Sequence, residues 1–237
     1  MARSRRKLPQ LVVNLKAYPQ TFGRRAVALA KACVKLEERS DVIVAIAPQG
    51  VDLRLCIDAG ARVFAQHFDR VLKPEATGWQ SIVSLADIGC EGTLINHSEH
   101  RLDAADITWF VDAAREAKLT TILCTKDAAE SATYAKTRPD LVAVEPPELI
   151  GGDISVTTAD PEVVRRSVSA VQRAAPGIPV LCGAGVKNGS DVTRAIELGA
   201  HGILIASGVT KAPKPANVLA DLASGFPSTW RRGHRKT

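Results

Sequence analysis

Three side chains in this sequence combine into a recognisable chemistry. Lys16 follows the apolar run LVVNL (residues 11–15), which carries Asn14. His97 follows GTLIN (92–96) and opens HSEHR. Glu145 closes DLVAVE (140–145) and is followed by Pro146 and Pro147. A fixed cation, an imidazole and a carboxylate are what a site needs to hold an anion and shift a proton between neighbouring atoms. Each has an ordinary alternative: a solvated loop lysine, a structural histidine, an ion-paired acid. Position argues for the chemical reading. A carboxylate ending an apolar strand is costly unless solvated or paired, and partial desolvation makes it a stronger base. A helical turn starting at HSEHR would point exposed amides at the imidazole, disfavour imidazolium and leave a neutral donor.

Two glycine-bearing turns accompany these groups. GAGVKNG (183–189) and ASG (206–208) each follow an apolar run. Backbone N–H groups left unshielded there can converge on a phosphate. The segment EPPELIGGD (145–153) joins two φ-restricted prolines to Gly151 and Gly152, with Leu149 and Ile150 between them as an apolar underside. That is the make-up of a lid that closes over a site and excludes water.

Such groups meet only if the apolar runs lie side by side and point the same way. Eight short runs recur, at 11–15, 42–47, 61–66, 92–96, 120–124, 140–145, 178–183 and 201–207. Helical patterns separate them, at 22–38 (with Val27, Ala30 and Val34 on one face), 51–59, 80–88, 104–118, 128–136, 159–175 and 191–198. Asp160 reads as the N-cap of the sixth and Pro161 as its first residue. Strands that are apolar throughout suit a parallel sheet buried on both faces. Eight strand–helix repeats predict an α/β fold of the closed (β/α)8 kind, with an open doubly wound sheet as the alternative that periodicity leaves open. In a barrel, the C-terminal ends of the strands form one mouth, and the loops after strands seven and eight commonly bind phosphate.

The 237 residues, 46% of them hydrophobic, suffice for one barrel domain. It is expected over residues 10–226, between a basic N-terminal extension (1–9) and a basic C-terminal tail (227–237). Arg3, Arg5, Arg6 and Lys7, with Arg231, Arg232, Arg235 and Lys236, put +8 on the tails; the net charge is +6, so the body keeps −2. An acidic body speaks against nucleic acid as the main partner. Cys33, Cys56, Cys90, Cys124 and Cys182 are odd in number and lack CxxC spacing. They fit reduced thiols in the cytoplasm better than a disulfide framework or a zinc ribbon. No apolar run approaches the roughly 20 residues of a spanning helix. Neither a metal nor a redox cofactor is expected.

The motifs NLKAY, NHSEHRL, VEPPELIGG, GAGV and GILIASGVTKA, in that order and each at a strand end, resemble the triosephosphate isomerase family, and most closely its short archaeal-type branch. The resemblance spans residues 12–226. It implies a (β/α)8 TIM barrel and the interconversion of D-glyceraldehyde 3-phosphate and dihydroxyacetone phosphate through an enediol(ate), in glycolysis and gluconeogenesis. It also implies a homo-oligomer, dimer or tetramer. By the same resemblance Lys16 would hold the substrate electrostatically beside Asn14, His97 would be the electrophile and Glu145 the base. Ile150, Gly185, Ala206 and Ser207 would bind substrate, mainly through backbone amides. This family is itself a standard illustration of a neutral histidine electrophile and a closing loop, so those two features come with the resemblance. The chain departs from the family in two places. GGDISV stands where a GTG-like lid end is usual, which puts Asp153 near a phosphate-facing loop. Trp79 replaces an acid often found just after Thr77 and Gly78, which removes one possible partner for Arg101. Two other readings keep the barrel. One is a different phosphosugar isomerase, synthase or aldolase, the last using Lys16 as a Schiff-base lysine. The other is a non-catalytic barrel that binds anions or nucleic acid through its tails.

Overall fold

The structure is a computed structural model that describes residues 8–40, 42–146 and 161–231. Most of the expected lid, including Ile150, and Asp160 lie outside the described residues, as do positions 1–7 and 232–237.

Eight strands form: β1 (Leu11–Asn14), β2 (Val44–Ala47), β3 (Arg62–Ala65), β4 (Gly92–Ile95), β5 (Thr120–Thr125), β6 (Leu141–Val144), β7 (Val180–Cys182) and β8 (Gly202–Ile205). All pair in parallel, in sequence order, and β1 pairs with β8 to close the barrel. The open-sheet alternative is thereby removed. Helices run between them: α1 (Arg24–Ser40), α2 (Leu53–Asp58), α3 (Ile82–Asp87), α4 (Ile107–Glu116), α5 (Ala128–Ala135), α6 (Pro161–Ala174) and α7 (Gly189–Glu197). After β8 come α8 (Ser207–Thr210), α9 (Pro215–Ser224) and α10 (Ser228–Arg231).

The strands are continuous apolar runs because both of their faces are covered. Val12, Ala45, Phe64, Leu94, Ile122, Leu141, Ala143, Leu181 and Leu204 fill the barrel, and Leu8 packs against that cluster. Leu11, Val13, Val44, Ile46, Val63, Leu123 and Ile203 face outward, in a second cluster with the helices. Each such aliphatic side chain contributes about 1.5–3 kcal/mol by leaving water. Side chains alternate along a strand, so two steps beyond Val12, Ala143, Leu181 and Leu204 come Asn14, Glu145, Gly183 and Ala206. The period that fills the barrel thus also lines its mouth.

The β1–β8 seam is very close. A Cβ on Gly202 would lie 2.0 Å from the Gln10 carbonyl oxygen, which the Ile203 N–H meets at 2.8 Å. Only glycine fits there. Helix α1 differs in facing from its expected stripe: Ala26, Leu29, Ala30, Cys33 and Leu36 are buried, while Val27 and Val34 sit half-exposed at the edge. The longer leucines win the centre of the face because they bury more area. Helix α4 starts three residues later than expected, since residues 104–106 form a turn.

Candidate active site

Asn14 ends β1, and its Oδ1 accepts the Lys16 N–H at 2.9 Å. Lys16 itself has φ +47°, a left-handed conformation that costs a lysine about 1–2 kcal/mol. Its ammonium points over the mouth and pairs with Glu99 Oε1 at 2.7 Å; the lysine side chain is only 13% exposed. Residues of this kind, held in a rare backbone region, concentrate at functional sites.

His97 follows Asn96, which also has a positive φ, +63°. Asparagine tolerates that region better than most residues. Its side chain secures the bend from both sides: Nδ2 donates to the Cys124 carbonyl and Oδ1 accepts the Leu102 N–H, each at 3.0 Å. At HSEHR, where a helical turn is expected, a single turn forms, closed by the His100 N–H on the His97 carbonyl at 2.8 Å; the regular helix α4 begins only at Ile107. An amide of that turn does meet the imidazole. The Glu99 N–H donates to His97 Nδ1 at 3.2 Å. A nitrogen that accepts carries no proton, so the ring hydrogen sits on Nε2. Nε2 lies 3.1 Å from Glu145 Oε1 and 3.4 Å from Asn14 Nδ2. The shorter contact, to an acceptor, is the one an Nε2–H satisfies.

Arg101, which lacks the acid that Trp79 replaces, has another partner. Its guanidinium pairs with Glu130 on α5 and donates to the Asn96 carbonyl at 3.4 Å. Glu130 in turn accepts the Lys126 N–H at 2.7 Å. Barrel closure supplies from α5 the acid that Trp79 does not.

Glu145 follows β6 and is 5% exposed. Oε1 faces His97, whereas Oε2 is buried with no hydrogen-bond partner. Gly183 gives it room: a Cβ there would stand 2.5 Å from Glu145 Cγ and 2.9 Å from the Val144 carbonyl oxygen. Cys124 is close by; burial first, then the Glu145 carboxylate, push its thiol well above the ordinary range. It is therefore a protonated neighbour of the acid.

Asn14, Lys16, His97 and Glu145 share one cavity of about 310 Å³ with Gly183 to Val186 and Ala206 to Gly208. Gly185 has φ +68°. Ser207 and Gly208 open α8, whose first amides lack intrahelical acceptors. The loops after β7 and β8, which carry these amides, lie between Glu145 after β6 and Lys16 after β1, and His97 follows β4 further round the barrel. Sequence reasoning singled out the ionisable residues of this cavity except Glu99, which sits inside the motif that flagged His97. Among the described residues, no group of three or more His, Cys, Asp or Glu is placed to hold a metal ion.

A (β/α)8 barrel with an ammonium, an imidazole and a carboxylate at one mouth, beside glycine-bearing loops after strands seven and eight, defines a phosphate-handling proton-transfer enzyme. The comparisons make this particular. The sequence model described as "Triosephosphate isomerase" matches residues 9–223. The triosephosphate isomerase of Methanothermobacter thermautotrophicus is 43% identical over 217 residues, 91% of this chain and 95% of that one. That of Methanosarcina barkeri is 45% identical over 216 residues, 91% and 97% respectively. That of Methanococcoides burtonii is 48% identical over 196 residues, 82% and 89%. The chain belongs to the triosephosphate isomerase family.

Proposed function

We propose that this enzyme interconverts dihydroxyacetone phosphate and D-glyceraldehyde 3-phosphate, with Glu145 as base, His97 as electrophile and Lys16 as electrostatic anchor. The observation that carries the reading is the approach of His97 Nε2 to Glu145 Oε1 at 3.1 Å, in the same cavity as Lys16. The substrate phosphate binds the amides around Gly185, Ala206 and Ser207, with Ile150 contributing from the lid. The carbonyl and hydroxyl oxygens face His97 Nε2–H and the Lys16 ammonium, beside Asn14. Glu145 takes a proton from the carbon next to the carbonyl, and the electron pair moves onto oxygen as an enediolate. His97 donates to one oxygen and recovers a proton from the other; Glu145 returns its proton to the adjacent carbon. No electron leaves the substrate, so the step balances without redox chemistry.

The same reading includes a cytoplasmic homo-oligomer, a dimer or tetramer. Five free, buried cysteines fit a reducing compartment. Val51, Leu55, Leu72, Trp79 and Val83 are large exposed apolar residues within one stretch of chain, the sort of surface a second copy covers. No helix among the described residues is long and apolar enough to cross a membrane. Purified protein is to be tested with dihydroxyacetone phosphate in an assay coupled to glyceraldehyde 3-phosphate consumption, and sized by light scattering. Lack of turnover sinks the isomerase reading; a monomer at micromolar concentration sinks the oligomer.

A further inference from the structure

Lys16 occupies a backbone region that a lysine leaves unless something holds it. Three side chains hold it. Asn14 Oδ1 takes its N–H at 2.9 Å. Its carbonyl oxygen accepts two amides, from Gln66 Nε2 at 3.1 Å and Gln49 Nε2 at 3.2 Å. The two glutamines are also bonded to each other, Gln49 Nε2 to Gln66 Oε1 at 2.9 Å. Gln66 Nε2 reaches the Ala47 carbonyl at 2.9 Å and Asn14 Oδ1 at 3.3 Å as well.

This arrangement has one consistent orientation. Gln49 has two N–H groups and uses one on Lys16 and one on Gln66, so its amide is fully committed. Flipping either amide would set its oxygen against the Lys16 carbonyl, and the network excludes that. Gln49 lies in the loop after β2 and Gln66 in the loop after β3. Gln49 and Gln66 are absent from the lining of the substrate cavity.

We infer that Gln49 and Gln66 are positioning residues, a two-loop amide clamp on the Lys16 carbonyl that keeps its left-handed bend and thereby sets its ammonium over the mouth. Strands β2 and β3, which supply no reacting group, acquire in this way a part in substrate capture. The inference rests on Lys16 being the electrostatic anchor proposed above.

Gln49 is the cleaner probe, because Gln66 also touches Asn14. Gln49→Leu removes both donated bonds at similar size; Gln49→Glu keeps the shape but turns an acceptor toward Lys16 and Gln66. An anchor that binds ground state and transition state alike affects KM. With one or two hydrogen bonds lost, KM is expected to rise about tenfold and inhibition by inorganic phosphate to weaken in step, with kcat within about threefold. Thermal melting identifies the variants that fold. The same Gln49→Leu change is then made in a Lys16→Met background, where phosphate inhibition should weaken by less than about twofold further, because the clamp has nothing left to aim. A KM at the parent value in both folded variants overturns the inference. So does an equal loss of phosphate inhibition in both backgrounds, which would mark Gln49 as merely structural. Absence of isomerase turnover in the parent protein would instead remove the proposed function.

Discussion

His97 Nε2 and Glu145 Oε1 stand 3.1 Å apart, with each side chain only 7% exposed. The second carboxylate oxygen is buried and unpaired. One oxygen is oriented by the imidazole and the other is enclosed by protein. Glu145→Gln keeps the shape and, on the proposed mechanism, removes the base. Turnover should fall by about 10²–10⁴ or more, with an unchanged far-ultraviolet circular dichroism spectrum. A parent-like rate in folded Glu145→Gln would take the base role away from this residue.

Gly183 is the floor under that carboxylate. In Gly183→Ala the new methyl would lie 2.5 Å from Glu145 Cγ and 2.9 Å from a backbone oxygen, so the Glu145 side chain must shift. A displacement on the order of 1 Å costs about 10²-fold in kcat/KM, and overpacking about 1–3 kcal/mol in stability. Steady-state kinetics and urea titration check both. An alanine variant with full activity would mean that Glu145 has slack which the packing does not show.

The His97 turn is braced within one chain, by Glu130 through Arg101 to the Asn96 carbonyl. Glu130→Ala should lower kcat by about 3–10-fold, a modest misplacement cost, by loosening that turn. Hydrogen exchange at the Leu102 amide, which Asn96 Oδ1 accepts, should speed up. Because donor and acceptor are on the same chain, the defect should not change with protein concentration. An effect that vanishes at high concentration would assign the brace to a neighbouring subunit.

Acid sensitivity should come in part from His67. Its ring stacks on His100 with centroids 3.8 Å apart, beside Phe110, and its Nε2 is 3.5 Å from Asp69 Oδ1. Burial first, then His100, lower its pKa from 6.5 to about 4, with Asp69 opposing. Between those values the unfolded chain binds a proton that the folded chain refuses. The stability tied to this group is therefore complete above pH 6.5 and declines as pH falls toward 4, by about 3 kcal/mol at most. His67→Gln should lessen the drop in unfolding free energy between pH 7.5 and 4.5. Parallel curves for parent and variant would remove His67 as a source.

The strands were legible because a barrel strand is covered on both faces and reads as one apolar run, as in VAIA of β2 or GILI of β8. Glu145 and His97 were legible because each breaks an apolar pattern at the point where a strand ends. What escaped was whatever depends on closure. Glu130 lies 29 residues from Arg101, and only the packing of α5 beside the β4 loop brings them together. Gln49 and Gln66 converge on Lys16 from two further loops, at spacings no local pattern records. Helix α9 did have a signal: Pro215 at its start and Leu219, Leu222 and Ala223 at helical spacing, all three buried.

Leu8 packs into the base of the barrel, Gln10 lies against Gly202, and the preceding residue, His201, has its ring 5.8 Å from that of Trp230. Beginning and end of the described chain therefore emerge side by side at the pole opposite the substrate cavity. An affinity handle, a fused domain or a solid support joined close to Leu8 or Trp230 would start from the far side of the barrel, away from the cavity that holds Lys16, His97 and Glu145.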